Sequence, residues 1–137
     1  MKLKNLHKEI GNAVSRGLDR IAKIAQRKAK SSKLFEGNSP GGLRQNIRII
    51  KNGSFIRTVL ADKWYADYVE SGNNHGPNGN WIYPKRAKYL HFFWKGKEFF
   101  CKRVRAHGPL PFMRKAKEST EYSIISIMEQ ELKKVLF

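Results

Sequence analysis

Acidic residues are scarce in this chain: 11 Asp and Glu stand against 28 Lys and Arg, a net charge of +17 over 137 residues. So large an excess of one sign repels copies of itself and attracts acidic partners. Nucleic acid, an acidic protein surface and an anionic membrane are the candidates, in that order. Cysteine is nearly absent. The lone Cys101 excludes an internal disulfide and makes no metal cluster by itself. This usage fits a reducing compartment such as bacterial cytoplasm. Long apolar runs are missing too, and none approaches the ~20 residues of a membrane span. The basic N-terminus is not followed by an apolar segment of signal-peptide type. A soluble, non-secreted protein that binds no membrane is expected.

Aromatic residues, by contrast, make up 12% of the chain, too many for a disordered tail. Between Leu3 and Ala29, apolar residues recur every three or four positions: Leu3, Leu6, Ile10, Val14, Leu18, Ile21 and Ile24–Ala25. That spacing predicts one amphipathic helix within residues 1–30. Its other face is cationic. Gly11 and Gly17 each cost it about 1 kcal/mol relative to Ala, so it needs packing against a neighbour. Turn-forming residues from Ser31 to Gly42 predict a loop. Two strand candidates follow, Leu43–Lys51 and Ser54–Ala61, joined at Asn52-Gly53, a strong hairpin signal. The i, i+4 pairs Trp64/Tyr68 and Tyr65/Val69 predict about two helical turns ended by Gly72. After a polar loop from Gly72 to Tyr83, a second hairpin is expected, Lys88–Trp94 and Lys97–Val104 around Lys95-Gly96. A last helix starts near Pro111, a favoured first-turn residue. Its expected apolar face is Phe112, Ala116, Ile124–Ile125, Met128, Leu132 and Val135–Leu136.

The fold class read from this pattern is α+β. A long N-terminal helix leads to an antiparallel sheet of four or more strands with a short helix. A C-terminal helix packs on the sheet. One domain spans residues 1–137, with its basic helix at 1–30, its sheet region at 43–110 and its closing helix at 111–137.

Chemistry-bearing constellations are few. His7, His75, His91 and His107 show no close zinc-type spacing with one another or with Cys101 and Glu70. Phe99-Phe100-Cys101 reads as strand packing, where a thiol behaves as a small apolar group. Asp62, Asp67 and Glu70 read as a turn of surface acids. There is no phosphate loop, dinucleotide fingerprint or Gly-x-Ser-x-Gly elbow, and no helix-turn-helix or RNA-recognition pattern. No catalytic residue, metal ligand or cofactor is assigned, so the chain is read as a non-enzyme. The candidate contacts to a polyanion or partner are Arg16, Arg20, Lys23, Arg27, Lys28 and Lys30, all on the first helix.

Four segments, in order, carry a resemblance. These are Ser39-Pro40-Gly41-Gly42-Leu43-Arg44-Gln45-Asn46-Ile47, Tyr65-Ala66-Asp67-Tyr68-Val69-Glu70-Ser71-Gly72, Pro84 to Phe93, and His107-Gly108-Pro109-Leu110-Pro111-Phe112-Met113-Arg114-Lys115-Ala116. Together they resemble the small tail-completion or head–tail joining proteins of long-tailed bacteriophages, over about residues 10–135. The fold signature carried by the likeness is Leu43, Arg44, Tyr65, Ala66, Tyr68, Glu70, Gly72, Pro111, Phe112 and Ala116. Glu70, close to a helix end, needs a compensating donor, either a basic side chain or a loop amide.

The resemblance implies a structural virion protein of the neck or upper tail, assembled as a homo-oligomeric ring, a hexamer. Its implied partners are the tail terminator or tail tube protein, the head connector or stopper, and genomic DNA passing through. Its implied location is the virion, with host cytoplasm during assembly. The alternative is a small basic nucleic-acid-binding accessory protein. Salt separates the two: DNA binding by counterion release falls steeply with salt, while an apolar ring contact persists.

Overall fold

The computed structural model describes residues 2–32, 35, 42–72, 81–94, 96–105 and 109–137. Helix α1 runs Leu3–Lys30. A 3-10 turn, Arg44–Asn46, leads into strand β1, Ile47–Lys51, and then β2, Arg57–Ala61. Helix α2 is Ala66–Ser71. The strands β3 (Trp81–Ile82), β4 (Leu90–Trp94), β5 (Lys97–Cys101) and β6 (Val104–Arg105) follow. Helix α3 closes the chain over Phe112–Leu136. The α+β class holds. Most of the Ser31–Gly42 and Gly72–Tyr83 loops, together with His75 and His107, lies outside the described residues.

The single sheet of four or more strands resolves into three antiparallel pairs among the described residues: β1–β2, β3–β6 and β4–β5. The expected strand Lys97–Val104 breaks at Lys102-Arg103, and its two parts choose different partners. The first hairpin is also looser than Asn52-Gly53 predicts. Lys51 pairs with Arg57, and the Asn52 N–H donates to the Ile56 carbonyl at 3.1 Å. Gly53 does adopt a positive φ of 75°. A two-residue turn there would set core-facing Ile47 opposite Thr58. The observed register sets Ile47 opposite Ala61 and Ile49 opposite Val59. Burial decides register, because opposed residues share one face of the pair. The second hairpin keeps its two-residue connection, with Trp94 paired to Lys97.

The core lies where the ends of α1 and α3 meet the first hairpin. Ala29, Leu43, Ile47, Phe112 and Ala116 are buried together, with Val59, Ala61, Tyr65 and Val69 packed around them. Helix α3 contributes to this cluster through its first turns and then runs antiparallel along α1. Small residues make that approach possible. Ala13 and Gly17 on α1 are buried, and a Cβ at Gly17 would stand 2.5 Å from Met128 Sδ. Close packing thus offsets the helix cost of this glycine. One consequence is a change of face on α1. Its periodic apolar residues Val14, Leu18, Ile21 and Ala25 stay half-buried, while Ala13, Gly17, Ala22 and Ala29 are buried. The face expected for α3 shifts likewise. Phe112, Ala116, Thr120, Ile127 and Glu131 are buried. Ile125 is 73% exposed, and Ile124 and Leu136 are exposed as well.

Candidate functional surfaces

The six candidate cations on α1 separate into two groups. Arg16 and Arg20 turn toward α3. Arg16 Nε donates to Glu131 at 3.1 Å, and Arg20 Nη1 donates to the other carboxylate oxygen at 3.0 Å. Arg20 also reaches the Gln130 side chain at 2.9 Å, and Lys28 donates to the Ser119 carbonyl at 2.8 Å. These three fasten the two long helices together. Lys23 and Arg27 remain exposed and Lys30 half-exposed. Lys23 and Arg27 line a shallow depression with Arg20 and Ile24. Arg27, Lys28 and Lys30 also occupy the last turn of α1, where cations favour the helix dipole.

Glu131 is the centre of this arrangement, and periodicity alone does not mark it out. It is buried, yet receives Arg16, Arg20 and Lys134, the last at 3.0 Å. Hydrogen bonds from Lys134 and Arg16, then Arg20, outweigh the cost of burial and hold its carboxyl down at about 2 against an ordinary 4.5. A depressed carboxylate stabilises the fold fully above its unfolded pKa and loses that contribution as pH falls through the folded value. The expected result is a pH-dependent gap between wild type and Glu131→Gln. The gap in urea midpoint is full at pH 7, shrinks below about pH 4.5 and closes near pH 2. A gap that is constant over this range would contradict the assignment.

Arg57 is a second buried charge that the sequence does not single out. It leaves β2 toward α1 and is nearly enclosed. Its Nε donates to Asp19 at 2.6 Å, Nη2 to Ser15 Oγ at 2.8 Å, and Nη1 to the carbonyls of Gly53 and Ile56 at 3.0 Å. The Asp19 carboxyl is lowered by the hydrogen bond from Arg57 and by its charge.

The signature residues gather around one joint. Leu43 is buried and Arg44 lies exposed on the 3-10 turn. Trp64 meets Tyr65 edge-to-face at 5.5 Å. The side chain of Tyr68 lies outside what is described. Gly72 ends α2 at φ 86°, a conformation glycine adopts without a Cβ clash. The donor Glu70 requires is the main chain of α3: the N–H groups of Met113 and Arg114 each donate to its carboxylate at 3.0 Å. The Val69 carbonyl accepts from the Leu110 N–H at 3.0 Å. Thus α2 caps α3 in trans, supplying what Pro111, at the N-cap position, lacks. Glu70→Ala leaves two helix-end donors unpaired and a dipole uncompensated. It should cost about 1–2 kcal/mol, read from chemical denaturation, with Glu70→Gln falling between.

The β4–β5 hairpin presents two aromatic faces. Phe92 and Phe99 stack at 5.4 Å on the half-buried one. On the other, His91 stacks on Phe100 at 4.5 Å and its Nε2 lies 2.6 Å from Glu98. Arg103 covers the Trp81 ring at 3.9 Å. His7 is exposed on α1, and Cys101 is half-buried in β5 opposite Leu90. The three neighbouring acids diverge: Asp62 pairs with Arg48, Asp67 is exposed, and Glu70 caps α3. Among the described residues no three His, Cys, Asp or Glu side chains are placed to hold a metal, and no helix is long and apolar enough to cross a membrane.

Comparison with known families places this chain among bacteriophage tail components: residues 1–72, from α1 through the end of α2, match one family. The chain belongs to that family, which is described as "Bacteriophage HK97-gp10, putative tail-component". No curated protein and no solved structure matches the chain.

Proposed function

We propose that this tail component is structural and non-catalytic, and that it forms a ring at the neck or top of the tail, completing the tail and joining it to the head connector. Membership of the tail-component family carries the reading. The half-exposed apolar stripe of α1 and the exposed Ile125 on α3 support it, since apolar surface of this kind marks contact with other subunits. Copies of the chain, the tail terminator or tail tube protein and the connector or stopper are the partners. Lys23, Arg27 and Lys30 face a polyanion in the assembled particle. A passage for DNA gives a cationic surface a use.

The test is to stop the gene in its parent phage and view the lysate by negative-stain electron microscopy. Filled heads beside separate, unjoined tails are expected. Normal infectious particles would refute the reading and favour a nucleic-acid-binding accessory protein. That alternative requires the isolated chain to bind DNA at ~0.15 M salt, with affinity falling steeply as salt rises.

A further inference from the structure

An open apolar cleft of about 480 Å³ lies between α1, β2 and α3. Ile21 and Ala25 of α1 form one wall, Val59 the floor, and Met113 and Ile124 of α3 the other wall. Ile21 and Ala25 belong to the stripe that the helix periodicity assigns to a core, yet both are only half-buried here. Arg114, Lys117 and Glu121 stand at its rim, two cations against one acid; Arg114 pairs loosely with Glu118 and Lys117 with Glu121, each one turn further along α3.

The β4–β5 hairpin has the matching relief. Phe93 and Glu98 are directly opposed, and His91 is opposed to Phe100, so all four share one face. Phe93 is 68% and Phe100 65% exposed. Beyond its own pairing the hairpin touches other described elements sparsely. Its rings therefore do not fill the cleft of their own chain.

We propose that this hairpin face seats in the α1–α3 cleft of a second copy, and that this contact closes the ring. Size allows it: an apolar cavity of about 150 Å³ accommodates a benzene ring, so the cleft has room for both phenyl groups. Charge selects it. With +17 per chain, self-association needs a locally complementary contact. Glu98 is the acid on the hairpin's exposed aromatic face and meets the Arg114 and Lys117 rim. Knob and cleft are different surfaces, so the contact is head-to-tail, the kind that builds a ring when its rotation closes, whereas a two-fold contact stops at a dimer.

The inference rests on the ring reading above, and it is tested on the purified full chain. Sedimentation velocity at about 100 µM populates any contact of micromolar affinity and should show oligomers larger than a dimer. Phe93→Ser/Phe100→Ser should be monomeric with an unchanged circular dichroism spectrum. Ile124→Lys, on the cleft side, should be monomeric with the hairpin untouched. Glu98→Lys should weaken association about tenfold or more, and adding Lys117→Glu should restore it. A monomeric wild type, assembly that stops at a dimer, or Phe93→Ser/Phe100→Ser and Ile124→Lys variants that assemble normally would each overturn the contact. Failure to restore would overturn the Glu98 pairing. Unjoined heads and tails on loss of the gene, beside such a result, would leave the tail reading standing and remove this contact alone.

Discussion

Arg57→Met should lower stability by about 2–3 kcal/mol. Removing one partner of a pair buried on both sides costs about 3–5 kcal/mol. Asp19 is half exposed and rehydrates when Arg57 leaves, so the lower figure applies here. Ser15 and the two hairpin carbonyls lose their donor as well. The exposed carbonyls of Gly53 and Ile56 regain water, so of these only the part-buried Ser15 hydroxyl adds to the cost. The side chain ties three things at once: the loop of the first hairpin, the edge of β2 and the middle of α1. The variant should therefore loosen the hairpin relative to α1. Urea denaturation gives the size of the effect. Hydrogen exchange should show its location, with faster exchange in β1 and β2 than in the α1–α3 pair. Arg57→Lys is not a conservative control, because an ammonium cannot reproduce the fork of donors.

The sequence made local features legible where one periodicity or one turn acts alone. The bounds of helix α1 were readable almost to the residue from its apolar spacing, though its buried face was not. The Lys95-Gly96 connection was readable because one turn acts alone there. Features set by tertiary contact were not. Asn52-Gly53 favours a tight turn, but the burial of Ile47 and Val59 overrides it. The α3 stripe reads Ile124–Ile125 as inward on hydropathy, whereas the close approach at Gly17 rotates Ile127 and Glu131 toward α1. Arg16 and Arg20 look like free cations until α3 brings Glu131 between them. Lys134, three positions on, is local, but the two arginines that enclose the buried Glu131 lie 115 and 111 positions away and leave no local trace. Glu70 is an intermediate case. Its need for a donor follows from its place at a helix end, and the donor's identity does not.

The same joint explains how the family's matched region relates to the rest of the chain. The match ends at residue 72, directly after α2. Yet α2 holds the first turn of α3 through Glu70 and Val69, and α3 returns along α1. The matched segment is thus completed physically by the closing helix. The cleft opens beside this joint, lined in part by Met113 and Arg114, and the hairpin's exposed aromatic face presents Phe93 and Phe100 to solvent.

Phe112→Ala should produce the largest loss of stability, about 3–5 kcal/mol. Phe112 is 3% exposed and touches Phe35 edge-to-face at 5.6 Å. It is the one large side chain of α3 in the buried cluster, with Ala29 at the end of α1 and Leu43 and Ile47 at the start of the hairpin. Truncation removes the transfer energy of the ring and leaves a cavity that rigid neighbours on three elements cannot close. The loss is a large part of the ~5–15 kcal/mol available to a domain. A melting temperature lower by about 10–20 °C follows at this chain length. Phe93→Ala gives the necessary contrast, because that ring is mostly exposed. It should change the monomer's melting by no more than a surface substitution, within about 0.5 kcal/mol. Calorimetry on the two variants side by side then separates a phenylalanine that builds the fold from one that is left over for a partner. Equal losses would mean that the hairpin face is part of the monomer's own core.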